Sequence, residues 1–291
     1  MDIAKNGGLL IWTTPVTEET AVYGTQKHIV EGLIKAGSEY VQQTTGIRSM
    51  EYADTLYIRV YVKDLNGNYV YSSIRQTSVR EYCEGRIEKS TDTKLVNTAI
   101  AMLHYGAASQ LNFKYNTGDL ANKNIAEAHP NKEWDANLLD DLVAPNTKIV
   151  GTDKIQDTGK TLSLGEAIQM NFYIKPIELG TIKTAKMYFW QNVSGELTFE
   201  NATKFVDMIK AGAEFVCTSD MITAVDYGTT IYACAYLVDS NGNEYYSNVF
   251  TGSPESYAKN VLAKSTSSAE LKAACRAFVL YGEAAKINFS K

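Results

Sequence analysis

The stretch GIRSMEYADTLYIRVYVKDLNGN, residues 46–68, decides the fold because a close counterpart of it occurs later in the chain. The counterpart, MITAVDYGTTIYACAYLVDSNGN at residues 221–243, lies 175 residues further on and aligns without a gap. Both copies contain a two-residue alternation followed by Asn-Gly, which is typical of a β-hairpin. An internal repeat of this length within 291 residues predicts a module that was built twice.

The similarity continues on both sides of this stretch. Two further pairs of segments match: IKAGSEYV (34–41) with IKAGAEFV (209–216), and AMLHYGAASQLNF (101–113) with AFVLYGEAAKINF (277–289). Upstream, the second copy has a segment at 161–176 that indicates one strand, and the first copy offers no counterpart for it. We predict a first module at 1–115 that lacks its N-terminal strand, a connector at 116–158 and a second module at 159–291.

After each hairpin the periodicity changes from that of a strand to that of a helix. Two helices are predicted in each copy: 78–89 and 92–113 in the first, 253–264 and 267–289 in the second. Each Asn-Gly turn is expected to hold both of its residues at positive φ. The predicted fold class is α+β, mainly β, with two tandem immunoglobulin- or fibronectin-like β-sandwich modules, each closed by a C-terminal helical pair.

Bulk composition excludes some classes of partner. The net charge is -5, and clustered Lys and Arg, which nucleic acids attract, are not seen. No run of about 18 apolar residues is found, so no membrane insertion is predicted. The N-terminus does not show the pattern of a signal peptide.

Cysteine and histidine usage predicts neither disulfides nor a metal site. The four cysteines do not occupy matched positions in the two copies, so buried free thiols are expected. The histidines, His28, His104 and His129, are far apart and lack the spacing of zinc ligands. Asp64-x-Asn66-Gly67-Asn68 resembles the start of a calcium loop, but Arg75 stands where that loop needs Glu, which favours a hairpin turn.

Motifs of catalysis are not found in the sequence. There is no nucleophile elbow, phosphate loop or dinucleotide-binding turn, so we predict no enzyme, no catalytic residue and no cofactor. Two matched carboxylate pairs, Glu51 with Asp226 and Glu39 with Glu214, leave a glycoside hydrolase open as an alternative. The simpler interpretation is that these four carboxylates are solvated charges at the ends of strands.

Rows of aromatic residues provide the candidate ligand-binding surface. Alternation along residues 56–63 places every second side chain on one face, and the neighbouring strand extends that face. The candidate residues are Tyr57, Arg59, Tyr61, Tyr69, Tyr71, Tyr232, Tyr236 and Tyr245. Exposed rings could stack on sugars, whereas rings under the helical pair would be core residues. Trp12 and Trp190 occupy matched positions, which indicates core residues.

A family resemblance is visible in three runs: 46–72, SVREYCEGRIEKSTD (78–92) and AMLHYGAASQLNFKYNTGDLAN (101–122). They resemble a repeated Ig-like and helical module of unknown function from large secreted or cell-surface proteins of gut and rumen Clostridia, of the Ruminococcus and Eubacterium type. The second copy departs from the pattern at 286–289. The resemblance implies an extracellular or cell-surface location and neighbours such as dockerin or Ig-like modules.

The leading hypothesis is a non-catalytic extracellular module pair that binds a glycan or another surface protein, or spaces other modules. A structural stalk without a ligand is the alternative, and a hydrolytic or hydrolase-associated domain is the second alternative. Because the first module is predicted to lack a strand, its sheet edge is expected to pair with another chain.

Overall fold

The computed structural model of the chain describes residues 3–42, 46–125, 142–164, 168–220 and 222–289. The fold is α+β with mainly β content, and it divides into two compact units, residues 1–129 and 130–291. Within the described ranges, no helix has the length and apolarity needed to cross a membrane.

The first unit contains seven strands and three helices among its described residues. In chain order they are α1 (Ile3–Asn6), β1 (Gly7–Trp12), β2 (His28–Glu31), β3 (Ile34–Ala36), β4 (Glu39–Val41), β5 (Leu56–Lys63), β6 (Tyr69–Tyr71), β7 (Arg75–Thr77), α2 (Val79–Lys89) and α3 (Thr93–Phe113). Strands β2, β1, β5 and β6 form an antiparallel sheet in that order, and β7 pairs with the other end of β5. Strands β3 and β4 form a separate hairpin.

The second unit contains nine strands and two helices among its described residues. They are β8 (Ile155–Leu164), β9 (Ile168–Pro176), β10 (Ile182–Gln191), β11 (Lys204–Asp207), β12 (Ile209–Ala211), β13 (Glu214–Thr218), β14 (Ile231–Asp239), β15 (Glu244–Tyr246), β16 (Phe250–Gly252), α4 (Pro254–Ala263) and α5 (Ala269–Phe289). One sheet has the order β11-β10-β14-β15 with β16 paired to β14, and the other has the order β12-β13-β9-β8. Both sheets contribute to one core, in which Phe172 of β9 meets Phe189 of β10 at a ring-centroid distance of 5.6 Å.

Strand register confirms the internal alignment. Trp12 lies opposite Tyr57 in the pairing of β1 with β5, and Trp190 lies opposite Tyr232 in the pairing of β10 with β14. Residues 161–176, for which the sequence indicates one strand, belong to two strands, β8 and β9. Within residues 3–42 and 46–125, neither of these strands has a counterpart.

The hairpin turns differ in detail from the expected geometry. Gly67 and Gly242 have positive φ, at 85° and 84°, whereas the preceding Asn66 and Asn241 do not. The Asp64 carboxylate accepts hydrogen bonds from the backbone N–H groups of Asn66 and Asn68, both at 2.8 Å. Since these bonds close the turn, Asp64 acts as a turn residue, as the hairpin interpretation predicts.

Helix boundaries follow local capping. The Ser78 hydroxyl accepts the Glu81 N–H at 2.9 Å and begins α2, while Asp92 caps α3 through the Lys94 N–H at 2.9 Å. In α5 the cap is Ser268, one residue beyond the start that the sequence predicted. The predicted helices are otherwise confirmed to within about two residues, the usual uncertainty of a helix end.

The long helices pack on the turn before the central strand. A Cβ at Gly106 of α3 would lie 2.8 Å from the Tyr52 ring, and a Cβ at Gly282 of α5 would lie 2.6 Å from the Tyr227 ring. Tyr52 and Tyr227 each follow a short 3-10 turn at matched positions. Each glycine therefore permits close contact between the helix and this turn.

Residues at both ends of the predicted connector take part in folded structure. Residues 115–125, which we name the clasp segment, fold back on α3, and the chain reverses at Lys114 and Asn116, whose φ values are 52° and 45°. The Gln110 amide donates to the Asn116 and Asp119 carbonyls at 3.2 and 3.0 Å and accepts the Ala121 N–H at 2.8 Å. At the other end β8 begins at Ile155, inside the predicted connector, while residues 126–141 lie outside the described ranges.

Candidate functional site

The candidate surface of the first unit is one face of its five-stranded sheet. Tyr61 of β5 lies opposite Tyr71 of β6, and Lys63 lies opposite Tyr69, so these side chains share a face. The Tyr69 and Tyr71 rings are 6.1 Å apart and nearly parallel, with an interplanar angle of 15°. Tyr61 meets Tyr69 edge-on at 5.7 Å and is itself buried. Tyr61, Tyr69 and Tyr71 therefore form one aromatic cluster on this face.

The loop at 13–27, between β1 and β2, folds over this face. Its Tyr23 ring stacks on Tyr69 at 4.5 Å, and its backbone N–H donates to the Tyr71 hydroxyl at 3.0 Å. The indole N–H of Trp12 donates to the Thr25 carbonyl at 3.0 Å. Much of the face is thus a small second core of the unit, and it is the loop, not the helical pair, that covers it.

Arg59 is the polar centre of this face and is buried. Its Nε donates to the Ser72 carbonyl at 2.7 Å, and its Nη1 donates to the Glu18 and Ala21 carbonyls at 2.7 and 2.9 Å. Nη2 lies 2.5 Å from the Glu18 carboxylate, and the guanidinium lies 4.7 Å from the centre of the Tyr71 ring. These bonds from Arg59 therefore fix the loop at 13–27 to the sheet.

The matching face of the second unit has the same construction. The loop between β10 and β11 lies over this face. The indole N–H of Trp190 donates to the carbonyl of Thr198 in that loop at 2.9 Å, and the ring of Phe199, the next residue, packs on Tyr246 at a centroid distance of 4.9 Å. Tyr232 is buried, while Tyr236 is half-buried and meets Tyr246 at 5.1 Å. A loop between the first two strands of the sheet covers the face in both units.

Tyr245 was assigned to the wrong face. It lies opposite Leu237 and packs against the core between the two sheets, whereas Tyr246 lies opposite Tyr236 on the aromatic face. The Tyr245 hydroxyl donates to the Asp239 carboxylate at 3.3 Å. Consecutive strand residues point to opposite faces, so a shift of one residue exchanges their roles.

Burial sets the acid–base properties of the tyrosines and cysteines. Desolvation raises the pKa of Tyr61 to about 12 and, together with the hydrogen bond to Glu244, raises the pKa of Tyr236 to about 12. The four cysteines are free and buried, as expected. Desolvation raises the thiol pKa to about 12 in Cys83, Cys217 and Cys275 and to about 11 in Cys234. The thiols are therefore protonated at neutral pH.

The matched carboxylates Glu51 and Asp226 take part in the 3-10 turns. Burial acts to raise the Glu51 pKa, but the hydrogen bond and charge of Arg48 outweigh it and lower that pKa below its ordinary value. Asp226 accepts the Thr223 hydroxyl at 2.6 Å. Of the other pair, Glu39 is exposed on β4 and Glu214 is half-buried on β13. The contacts with Arg48 and Thr223 give Glu51 and Asp226 a structural role in the 3-10 turns.

Two open cavities lie in the described part of the first unit. The larger, about 560 Å³, is lined by β7 and α2, mainly by charged residues such as Glu81, Arg86 and Lys89. The smaller, about 340 Å³, is lined by Asp54, Tyr57 and residues of the clasp segment. Tyr57 lines this polar cavity and also packs against the cluster of Leu10, Trp12, Ala21 and Tyr61, as Tyr69 and Tyr71 do. No group of three or more metal-ligating side chains is found in the described ranges.

Sequence reasoning missed Tyr23 and Phe199, the loop residues that complete the two aromatic clusters. Their loops have no periodicity, so only their matched position after a Trp-containing strand could have indicated a common role. Comparison with known proteins adds no further assignment: no family model matches the chain, and no curated protein matches it.

Proposed function

We propose that the chain is a non-catalytic pair of immunoglobulin- or fibronectin-like β-sandwich modules, each closed by a helical pair, that spaces other modules of an extracellular or cell-surface protein. The observation that supports this most directly is the loop over each tryptophan-bearing face. In both units the indole N–H is bonded to a loop carbonyl, so the aromatic face that could have been a ligand platform is used for internal packing.

Other contacts support a structural role in preference to chemistry. The Arg59 guanidinium donates hydrogen bonds to the carbonyl groups of Ser72, Glu18 and Ala21, all in its own unit. The buried thiols have raised pKa values, and a neutral thiol is a poor nucleophile. A spacer needs stable, self-contained modules, and these contacts increase stability without leaving reactive groups.

Force spectroscopy on the full chain, tethered at both termini, tests the proposal. A spacer of two modules should give two separate unfolding events and should regain both after relaxation. Turnover assays on glycosides, esters and peptides serve as the complementary measurement. A chain that unfolds gradually at low force, or that hydrolyses one of these substrates, would falsify the spacer function.

A glycan-binding function is the second candidate, and one observation favours it. Tyr23 is 36% exposed at the edge of the cluster, and the half-buried rings of Tyr69 and Tyr71 are nearly parallel. A glycan array with the wild-type chain and with Tyr23→Ala separates the candidates. Binding that the substitution abolishes favours the glycan function, whereas an array without signal favours the spacer.

A further inference from the structure

The smaller cavity of the first unit, about 340 Å³, is formed where three segments of the chain meet. The loop after β1 contributes Thr13, the turn before β5 contributes Asp54 and Thr55, and the clasp segment contributes Tyr115 and Asn116. A volume at the lower end of the range for small-molecule sites suits a ligand of one ring better than a large one. The lining is mostly polar, so it favours a polar ligand.

The clasp segment fixes the orientation of the Asp54 carboxylate in this cavity. One carboxylate oxygen accepts the Tyr115 hydroxyl at 2.5 Å, and the other accepts the side-chain amide of Asn116 at 3.1 Å. A carboxylate offers about four acceptor positions, so each oxygen can accept one more hydrogen bond. Among the described residues no cationic side chain forms an ion pair with Asp54. The cavity therefore presents an oriented negative charge that no cation neutralises.

Three hydroxyl groups of the lining are available to a ligand. Those of Thr13, Thr55 and Tyr57 form no hydrogen bond within the described ranges. The position of Tyr57 is nevertheless well defined, because its half-buried ring packs against the cluster that contains Leu10 and Trp12. A hydroxyl both donates and accepts a hydrogen bond, so these groups complement a molecule that itself carries several hydroxyls.

The aligned positions of the second unit do not repeat this set of side chains. Thr229 stands at the position of Asp54, so the carboxylate is absent there. Tyr232, the counterpart of Tyr57, is buried, at 9% exposure. The arrangement is therefore particular to the first unit, and the aligned residues of the second unit provide matched controls.

We propose that this cavity binds one neutral sugar ring. Two adjacent hydroxyls of the sugar donate to the Asp54 carboxylate, and the hydroxyls of Thr55 and Tyr57 bond to other polar groups of the ring. The charge of Asp54 excludes acidic sugars, because their carboxylate would lie beside it. This inference goes beyond the spacer function. It is also independent of the glycan candidate at Tyr23, which does not line the cavity.

Titration of the isotope-labelled full chain, followed by amide chemical shifts, tests the site. The neutral probes are the methyl glycosides of glucose, galactose, mannose and xylose; methyl galacturonoside is the acidic probe and methylammonium the cationic one. Thr55→Val and Tyr57→Phe each remove a hydroxyl without an internal hydrogen bond and so preserve the fold. Their controls are Thr230→Val, aligned with Thr55, and Tyr82→Phe, 58% exposed on α2. Asp54→Thr introduces the residue of the second unit.

We expect at least one neutral glycoside to bind saturably, with a Kd of about 1 mM for a ligand of this size. Thr55→Val and Tyr57→Phe should each weaken binding about fivefold, and Asp54→Thr should abolish it. The two control variants should bind as wild type does, and the galacturonoside should bind about tenfold more weakly or less.

Three results overturn the proposal: no saturable binding by any neutral glycoside, equal Kd values for Tyr57→Phe and Tyr82→Phe, or tighter binding of methylammonium than of every glycoside. Tyr23→Ala separates this site from the aromatic cluster. Unchanged binding in that variant supports the cavity, whereas its loss would place the sugar at Tyr23 and overturn the proposal. The force response that tests the spacer function is measured independently of all these titrations.

Discussion

Arg80 in the first turn of α2 forms a bidentate ion pair with Asp119 in the clasp segment, at N–O distances of 2.8 and 3.1 Å. The same guanidinium donates to the Leu120 carbonyl at 3.2 Å. In the second unit the aligned residue is Glu255, and Lys286 stands where Gln110 anchors the clasp segment. The side chains that hold the clasp segment in the first unit are therefore replaced by different residues at the aligned positions of the second unit.

Substitution of Asp119 should make the first unit less stable in a pH-dependent manner. Arg80 and Lys123 lower the Asp119 pKa from 3.8 to about 2, so its contribution is present above pH 4 and is lost as the pH falls from about 4 to 2. The side chain is 36% exposed, so we expect Asp119→Asn to cost only about 1 kcal/mol at pH 7. Urea unfolding at pH 7, 4 and 2 measures this. Glu88→Gln, on the exposed side of α2, should show no such pH dependence; an equal effect would refute the role of the ion pair.

Two helical glycines should respond to alanine in opposite directions. Around Gly85 of α2 there is no atom within 4 Å of a Cβ, so Gly85→Ala should stabilise the unit by up to about 1 kcal/mol through helix propensity. At Gly106 the new Cβ would meet the Tyr52 ring, Ala121 and the Ser49 carbonyl, at 2.8 to 3.2 Å, so Gly106→Ala should cost about 1–3 kcal/mol. Thermal unfolding of the two variants is the measurement. If both shift the midpoint in the same direction, close packing of α3 on this turn is not the reason for Gly106.

Elements with a strong period were predictable from sequence. Strand β5 has the predicted bounds, Leu56–Lys63, because two-residue alternation and a following Asn-Gly both specify it. The end of α3 at Phe113 was also predicted, since the helical period stops there. What these patterns fix is the local structure of one element at a time.

The errors have separate causes. Tyr245 aligns with Val70 and not with Tyr69 or Tyr71, so a strict comparison of the two copies would have placed it on the apolar face, opposite Leu237. The clasp segment is polar and was assigned to a connector, because composition does not reveal that the Gln110 amide bonds to its backbone. The helical period of α3 ends at Phe113 and does not indicate how the residues that follow pack back on the helix.

Removal of Arg59 should loosen the loop that covers the aromatic face. Arg59→Lys retains the charge but not the fork that reaches Ser72, Glu18 and Ala21, so we expect a cost of about 2–4 kcal/mol. Limited proteolysis should then cleave within residues 13–27. Arg75→Lys, an exposed residue of β7, is the control. Resistance to the protease equal to wild type would show that the loop is held by other contacts.

The cysteines should be unreactive in the native protein. All four are buried, and desolvation raises their thiol pKa values to between about 11 and 12. A chromogenic disulfide reagent at pH 8 should therefore register few thiols before denaturant is added and four afterwards. Rapid reaction of a thiol in the native chain would contradict the packing around it, and labelling followed by peptide mapping would identify which one.

The hydrogen bond between Tyr115 and Asp54 should make the clasp segment sensitive to alkali. The hydroxyl donates to the carboxylate at 2.5 Å, and this bond is the main reason that the Tyr115 pKa is raised from 10.0 to about 12. Folding thus favours the neutral phenol, so the stabilisation is complete below pH 10 and is lost as the pH rises from about 10 to 12. Tyr115→Phe should cost about 1 kcal/mol at pH 8, and its difference from wild type should shrink over that interval. Urea unfolding at pH 8, 10 and 12 gives the difference, with Tyr82→Phe, 58% exposed, as the control. A difference that stays constant across these pH values would mean that the phenol is not held by Asp54 in solution.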